Sequence, residues 1–214
     1  MVARPMSMPS SRRTVHLIDA RAVTRPLVEA DLYRDYPAAE LEAVELRWAR
    51  AREEAATAGL VQGLTPLEHA HWDWRNKAES VEIGRHMLLA VEYHGEVQGL
   101  MAVLRTPRLA RLAPGHVVYV DYVETAPWNL KGSGIAPRFY GVGTVLIVEA
   151  IRLSLEMGLG GQVGLHSLPQ AEEFYATRCR MTRVGPDADY FDLSYCEYTS
   201  EQATSWLAQV GEKP

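Results

Sequence analysis

RFYGVGT at residues 138–144 is the most informative segment of the chain. It follows a valine- and tyrosine-rich segment, HVVYVDYVET at residues 116–125, whose composition predicts a β-strand. A strongly apolar segment at residues 142–157 comes next and predicts a helix that ends at Gly158. Glycines let a ligand approach the backbone closely, and the free amides of a helix N-terminus attract phosphate oxygens. The junction therefore indicates a phosphate-binding turn, or else a glycine-containing helix start used only for packing.

Strand patterns and helix patterns alternate along the rest of the chain. Two apolar runs at residues 86–93 and 97–104, separated by His94-Gly95-Glu96, predict an antiparallel hairpin. Further strands are predicted at residues 14–18, 162–168 and 190–195, and further helices at residues 37–58, from residue 65 onwards, at 169–178 and at 199–210. Hairpin strands combined with a helical crossover predict an α/β fold, a mixed sheet with helices on both faces.

Two of the predicted helices carry charged residues whose spacing assigns them to solvent. Glu45 and Arg52 are expected on the side opposite the buried stripe of the helix at residues 37–58. In the apolar helix at residues 142–157, the solvated stripe is predicted to consist of Glu149, Arg152 and Glu156.

The composition is that of an ordinary globular protein, with 47% hydrophobic and 23% charged residues in 214. Residues 1–13 have no apolar signal segment and predict a flexible tail in front of a single domain at residues 14–214. The net charge of −5 argues against broad binding to nucleic acid or to an anionic membrane, and no apolar run is long enough to span a bilayer. Cys179 and Cys196 are the only cysteines, too few for a disulfide framework, so a cytoplasmic location is expected.

Other phosphate-binding motifs fit the sequence less well. It contains no G-x-x-x-x-G-K-[ST] pattern, which disfavours a P-loop hydrolase. The run GLGGQVG at residues 158–164 follows a helix and precedes a strand, the reverse of the order in a dinucleotide-binding motif. We interpret it as a helix stop and turn.

The pattern R-x-x-G-x-G at residues 138–143, between a valine-rich strand and an apolar helix, resembles the acyl-CoA site of the GNAT N-acyltransferase superfamily. Residues 171–175 (AEEFY) are similar to the next helix of that family, with its Phe-Tyr pair. The Ala-Pro-Trp-Asn loop at residues 126–129 resembles a variant found among bacterial members. Leu168 departs from the pattern, because the family often has asparagine at this position. The resemblance covers nearly the whole chain and implies the family's mixed, mostly antiparallel twisted sheet.

The resemblance also implies an activity: direct transfer of an acetyl group from acetyl-CoA to a primary amine, on a small molecule, a lysine or a protein N-terminus. Tyr175 is then the general acid, and a carboxylate of the valine-rich strand, Asp121 or Glu124, is the base. The odd spacing of these two predicts that they lie on opposite faces of the strand. The backbone amides of Val123 and Thr125 are expected to polarise the thioester carbonyl. The CoA-binding residues implied are Arg138, Phe139, Tyr140, Gly141, Val142, Gly143 and Thr144. A homodimer is left open.

The segment from His69 to Asp73 permits two interpretations. The second helix of the family borders the acceptor, so Trp72 and Asp73 are expected to line that pocket. A metal site at His69, His71 and Asp73 is not predicted, because only His69 and Asp73 would align on a helix. Two other functions remain compatible with the sequence. One is a non-catalytic acyl-CoA-binding or regulatory domain of the same fold, and the other is a nucleotide-phosphate-binding module.

Overall fold

The computed structural model describes residues 11–60, 73–130 and 133–211. In chain order its strands and α-helices are β1 (Arg12–Asp19), β2 (Leu27–Arg34), α1 (Leu41–Thr57), α2 (Arg75–Glu82), β3 (His86–Tyr93), β4 (Glu96–Leu104), β5 (Arg108–Leu109), β6 (His116–Thr125), β7 (Phe139–Tyr140), α3 (Val142–Glu156), β8 (Val163–Ser167), β9 (Thr182–Asp187), β10 (Leu193–Tyr198) and α4 (Ser200–Gln209). A π-helix, Phe174–Arg178, follows β8.

One sheet runs through the molecule in the order β7-β1-β2-β3-β4-β6-β8-β10-β9, and β5 adds to the side of β6. Within the part of the chain that the structure describes, β6 and β8 are the one parallel pair, and the other strand pairs are antiparallel. Helix α3 buries Leu146, Ile147 and Ile151 against one face. Helix α1 and the start of α2 cover the other face, where Trp48 and Trp74 are fully buried. The predicted α/β fold, with a mixed and mostly antiparallel sheet between helices, is confirmed.

The predicted hairpin is β3 and β4. Its turn residues His94 and Gly95 have φ values of 49° and 76°, the left-handed conformation that a two-residue hairpin turn needs. The last helix, α4, begins with a capping box in which Thr199 and Gln202 bond each other's backbone N–H.

Strands β2 and β9 were not predicted. Both contain charged residues or glycine and proline, and few of their side chains are buried, so neither has a clear hydrophobic alternation. The strand predicted at residues 190–195 lies later, as β10, because Phe191 and Asp192 form a left-handed turn. Strand β1 begins at Arg12, which pairs with Tyr33, so Arg12 and Arg13 belong to the sheet and not to the predicted tail.

The expected solvent stripe of α3 is wrong at Glu149. This carboxylate is 1% exposed, because β1 and β2 pass over the helix at this point. Arg13 reaches it at 2.8 Å and Arg34 at 2.5 Å, and Arg34 also pairs with Glu156. The helix start predicted at residue 65 lies outside the described residues. Among the helices that are described, none is long and apolar enough to cross a bilayer.

Candidate functional site

Strands β6 and β8 separate part of the way along the sheet. Their parallel pairing covers Val118–Val120 on β6, and β6 then continues to Thr125 with no strand partner on that side among the described residues. We call the space beside residues 121–125 of β6 the strand gap. Strand β4 keeps pairing with the other edge of β6 up to Thr125, so the unpaired edge is held in place.

Backbone groups of β6 point into the strand gap at alternate residues. The N–H of Ala126 donates to the carbonyl of Gln98 at 2.9 Å, which places the hydrogen-bonded pairs between β6 and β4 at residues 126, 124 and 122. The N–H groups of Val123 and Thr125 therefore face away from β4, towards the strand gap. These are the two amides that the family resemblance implies as donors to a thioester carbonyl.

Asp121 and Glu124 lie on the same face of the sheet, which corrects the prediction that they lie on opposite faces. The register shifts so that Ala102 pairs with Tyr122 and Val103 with Val120, leaving Asp121 as the extra residue of a β-bulge. A bulge reverses the alternation of side chains beyond it. Asp121 and Glu124 both face the side covered by α1 and α2, where they contact His86 and Trp74 respectively.

Glu124 is the most unusual carboxyl group of this face. It is 6% exposed, and its Oε2 accepts a hydrogen bond from the indole Nε1 of Trp74 at 2.8 Å. Arg52 lies 3.6 Å from its other oxygen. Burial raises the pKa of Glu124 to about 7, against the opposing effects of the Trp74 hydrogen bond and the Arg52 charge. At neutral pH this carboxyl group can therefore both take up and release a proton.

Glu45 is buried and Arg52 is half-buried near Glu124, whereas the sequence predicts both on a solvated helix side. Glu45 is 3% exposed, pairs with Arg52, and accepts a hydrogen bond from the backbone N–H of Trp74 at 3.0 Å. Glu45 thus fixes the beginning of α2 against α1. The helical spacing of Glu45 and Arg52 did not reveal this role of Glu45, because the role depends on a contact with a segment about 30 residues away.

Lys77 brings a positive charge to the same face. Its Nζ lies 3.7 Å from the ring centre of Tyr122 and 5.9 Å from that of Trp74, as in a cation–π contact. Burial lowers its pKa, and the carboxylates of Glu124, Asp121, Asp73 and Glu45 act against this shift, with Glu124 acting most strongly.

The other strand carboxylate, Asp121, is held by a buried histidine. His86 is 2% exposed, and its Nε2 lies 2.8 Å from Asp121 Oδ2, whereas its Nδ1 has no hydrogen-bond partner among the described residues. Asp73 precedes α2 and is bound by the guanidinium of Arg75 at 2.5–3.0 Å, which lowers the pKa of Asp73. Trp72, the other predicted acceptor-pocket residue, lies outside the described residues.

The N-terminus of α3 leaves backbone amides available. Gly141 has φ = 93°, and a Cβ built on it would meet no atom within 4 Å, so a ligand can approach this glycine closely. The first hydrogen bond of the helix runs from Val145 N–H to Gly141 O at 2.9 Å. The N–H groups of Val142, Gly143 and Thr144 therefore have no acceptor within the helix.

The residues before this turn are fixed by the Ala-Pro-Trp-Asn loop. The Asn129 side chain donates to Gln98 Oε1 at 3.0 Å and accepts from Phe139 N–H at 2.9 Å. Arg138 lies over the Trp128 ring at 4.4 Å and pairs with Glu96 at 3.1 Å, and 42% of its side chain is exposed. Its guanidinium is thus held by Trp128 and Glu96 and stays partly exposed, three residues before Gly141.

The remaining predicted CoA-binding residues differ in what they can contact. Phe139 is 2% exposed and packs on Tyr93, and its N–H is already used by Asn129. Val142 is also buried, whereas Tyr140 is 40% exposed beside Arg25. Within this segment, therefore, Arg138, Tyr140 and Thr144 offer accessible side chains, whereas Gly141, Val142 and Gly143 offer only backbone groups to a ligand.

Tyr175 lies on the opposite face of the sheet from Glu124, in the π-helix after β8. It is 5% exposed, its ring meets Phe174 edge-on, and burial raises its pKa above the ordinary value. Among the described residues its hydroxyl has no hydrogen-bond partner. A buried phenol with a raised pKa keeps its proton, as a general acid must before it donates.

No group of three His, Cys, Asp or Glu side chains within the described ranges could hold a metal ion. His69 and His71, two of the three residues considered for a metal, lie outside these ranges.

No protein-family model and no curated protein sequence matches this chain. Solved structures do match it. They include a bacterial toxin at 16% identity and TM-score 0.52, covering 73% of this chain and 89% of the toxin. A GNAT-family acetyltransferase from Listeria monocytogenes 4b F2365 matches at 16% identity and TM-score 0.50, covering 80% of this chain and 95% of the other. PaiA N-acetyltransferase from Thermoplasma acidophilum, solved with coenzyme A, has 12% identity, TM-score 0.49 and coverage of 78% and 98%. The likeness to the Listeria monocytogenes structure shows the fold, which is that of a GNAT-family acetyltransferase.

Proposed function

We propose that this chain, which has the fold of the GNAT acetyltransferases, transfers an acetyl group from acetyl-CoA to a primary amine. Residues 14–214 act as one catalytic domain. The observation that carries the proposal is the buried Glu124 carboxyl, whose pKa is raised to about 7 beside the unpaired edge of β6. A base of that pKa is suited to take a proton from an ammonium group near neutral pH.

The donor lies in the strand gap. Its pyrophosphate is bound by the amides of Val142, Gly143 and Thr144, and Arg138 supplies a positive charge nearby. The thioester carbonyl accepts hydrogen bonds from the N–H groups of Val123 and Thr125, which stabilise the negative charge that develops on its oxygen.

The acceptor amine approaches from the face covered by α1 and α2. Glu124 takes one proton from its ammonium, and the amine nitrogen attacks the carbonyl carbon. The carbon–sulfur bond then breaks, the electron pair goes to sulfur, and Tyr175 donates a proton to the thiolate from the other face of the sheet. The second proton of the amine nitrogen passes to solvent, and Tyr175 regains a proton from solvent. Asp121 is the less suitable base, because His86 already binds its carboxylate.

Calorimetric titration with acetyl-CoA, CoA and ATP tests donor binding, with Thr144→Glu as the blocking variant. Thr144 is in the first turn of α3, where a carboxylate favours the helix but repels a pyrophosphate. Thr144→Gln is the matched neutral control. We expect both CoA species to bind the wild type and Thr144→Gln, and to lose at least about ten-fold in affinity for Thr144→Glu. A folded protein that binds neither CoA species would contradict the proposal, and preferential ATP binding would favour the nucleotide-binding alternative.

Release of free CoA thiol in the presence of small amines and lysine peptides then tests catalysis. Activity that is lost in Glu124→Gln, with CoA binding retained, supports the mechanism. CoA binding without transfer to any amine would favour the non-catalytic alternative.

A cytoplasmic location agrees with the two cysteines, both of which are buried as free thiols.

A further inference from the structure

The chain is poor in lysine and rich in arginine. Of its 22 basic residues only three are lysines, Lys77, Lys131 and Lys213. Lys77 is the only one of them within the described residues, and it lies on the face where an acceptor amine would arrive. A lysine side chain presents the same primary amine that the proposed reaction consumes.

Contacts of Lys77 place its amine beside the proposed base. Trp74 and Lys77 are three residues apart and lie on the same side of the helical turn that begins α2. Trp74 donates its indole N–H to Glu124 at 2.8 Å, and the Lys77 Nζ lies 3.7 Å from the ring centre of Tyr122. Tyr122 and Glu124 are on the same face of β6, and Val123 between them directs its N–H into the strand gap.

The surroundings of Lys77 also favour its neutral form more than water does. Its side chain is half-buried against two aromatic rings, and this desolvation lowers its pKa. Only an uncharged amine is nucleophilic. The nearest charges facing it are Glu124 and Asp121 on β6, Asp73 before α2, and Glu45 on α1, and of these Glu124 interacts with it most strongly.

We propose that Lys77 is a site of self-acetylation, at which the enzyme transfers an acetyl group from bound acetyl-CoA to its own Nζ. The inference rests on the proposed function. Glu124 takes one proton from the Lys77 ammonium, and the nitrogen then bonds to the carbonyl carbon. The carbon–sulfur bond breaks with its electron pair going to sulfur, and the second proton of the amine is balanced by protonation of the thiolate. The products are an amide at Lys77, CoA thiol and one proton.

Self-acetylation changes the charge next to the base. In the unmodified chain, the positive charge of Lys77 opposes the rise in the pKa of Glu124. The amide is neutral, so Glu124 in the acetylated chain has a higher pKa than in the unmodified one. The acetylated enzyme therefore needs a higher pH to ionise its base, and its acceptor face has lost one cation.

Peptide mass spectrometry after incubation with acetyl-CoA alone tests the inference. Lys131 and Lys213 in the same chain report uncatalysed acetylation. We expect Lys77 to be acetylated at least about ten-fold faster than both, and this excess to disappear in Glu124→Gln and Thr144→Glu. To distinguish reaction within a chain from reaction between chains, Glu124→Gln is mixed with active Lys77→Arg. Acetylation of Lys77 only in chains that carry their own Glu124 supports the intramolecular step.

The outcomes separate this inference from the proposed function. Acetylation at Lys77 no faster than at Lys131 and Lys213, in an enzyme that acetylates added amines, would overturn the self-acetylation and leave the proposed function intact. Acetylation of Lys77 in the Glu124→Gln chain when it is mixed with Lys77→Arg, but not when it is incubated alone, would show transfer between chains. That result would also overturn the self-acetylation within one chain. If the wild type does not bind acetyl-CoA in the titration, both proposals are wrong.

Discussion

At the residue scale, the two strand carboxylates differ in what their oxygens contact. Asp121 pairs with the imidazole of His86, whereas Glu124 receives one indole N–H and lies 3.6 Å from a guanidinium. For Glu124, the effect of burial on the pKa is larger than the opposing effects of Trp74 and Arg52, and the pKa rises to about 7. We expect kcat/KM for a small amine to rise with pH up to about 7 and to level off above it, after correction for the ionisation of the amine.

The variant Glu124→Gln provides the control for this pH dependence. The amide keeps an oxygen that accepts from Trp74 but cannot take up a proton. We expect kcat to fall by at least about 100-fold and the rise near pH 7 to vanish. An unchanged pH profile in the variant would show that the titrating group is elsewhere.

The same shift in pKa predicts how stability changes with pH. An unfolded Glu has a pKa near 4.3, so between this value and about 7 the folded chain holds a proton on Glu124 that the unfolded chain has released. The free energy of unfolding contributed by this group is thus present at low pH and lost as pH rises through this window. Relative to Glu124→Gln, the wild type should lose about 3 kcal/mol of its free energy of unfolding, measured in urea, between pH 4 and pH 8. Parallel pH dependences for the two proteins would contradict the assigned shift.

Tyr175 can be tested against a second buried tyrosine. The hydroxyl of Tyr175 has no hydrogen-bond partner among the described residues, so Tyr175→Phe should leave the free energy of unfolding nearly unchanged. Tyr198 donates to the carbonyl of Cys179, so Tyr198→Phe should destabilise the fold by about 1 kcal/mol. We expect Tyr175→Phe to lower kcat at least about ten-fold with CoA affinity retained, and Tyr198→Phe to leave kcat unchanged. Equal kcat values for wild type and Tyr175→Phe would remove Tyr175 as the acid.

At the element scale, the sequence predicted those strands and helices whose residue spacing and turn residues are sufficient to define them. The hairpin of β3 and β4, strand β6 and helix α3 have clear periodicity and turn residues, and all four were predicted. The bulge at Asp121 was not, because the extra residue is visible only in the register with β4. It decides that both strand carboxylates share one face, and so the pairing of two strands, rather than the sequence of one, determines the candidate site.

A buried ion pair joins α3 to the first two strands. Glu149 is 1% exposed and binds Arg13 and Arg34, which are the charged residues of β1 and β2 above the helix. Removing Glu149 leaves Arg13 without this carboxylate and Arg34 with Glu156 alone, while both guanidinium groups keep some access to solvent. We expect Glu149→Ala to lower the free energy of unfolding by about 1–3 kcal/mol, measured by urea denaturation.

Arg152 is one turn further along the same helix and provides the comparison. It belongs to the stripe that the sequence assigned to solvent together with Glu149, and Arg152→Ala should cost less than Glu149→Ala. A similar loss for both variants would mean that the helix surface, rather than the buried pair, determines the effect.

At the scale of the whole molecule, the sequence predicted the layers but not how the two halves of the sheet are joined. Pairing between β6 and β8 extends over only three residues of each strand. Next to it, Tyr119 Oη lies 2.6 Å from His166 Nδ1, and His166 Nε2 lies 2.9 Å from Asp187. Arg111 pairs with Asp187 at 2.5 Å. These residues come from four separate segments, and none of them is in a recognisable motif.

The polar cluster of Arg111, Tyr119, His166 and Asp187 predicts which half of the sheet unfolds more readily when the cluster is disrupted. Its hydrogen bonds connect β6, which belongs to the half of the sheet with β1 to β4, to β8 and β9 in the other half. In His166→Leu the buried hydroxyl of Tyr119 loses its acceptor and Asp187 loses a donor, which should cost about 2–4 kcal/mol. Because the cluster lies where the halves meet, hydrogen exchange should accelerate more in β8 and β10 than in β1 to β3. An equal acceleration in both halves would mean that the sheet opens as one unit and that the cluster does not join its halves. If the donor lies in the strand gap as proposed, saturating CoA should reverse part of the acceleration in β8, since it contacts strands on both sides.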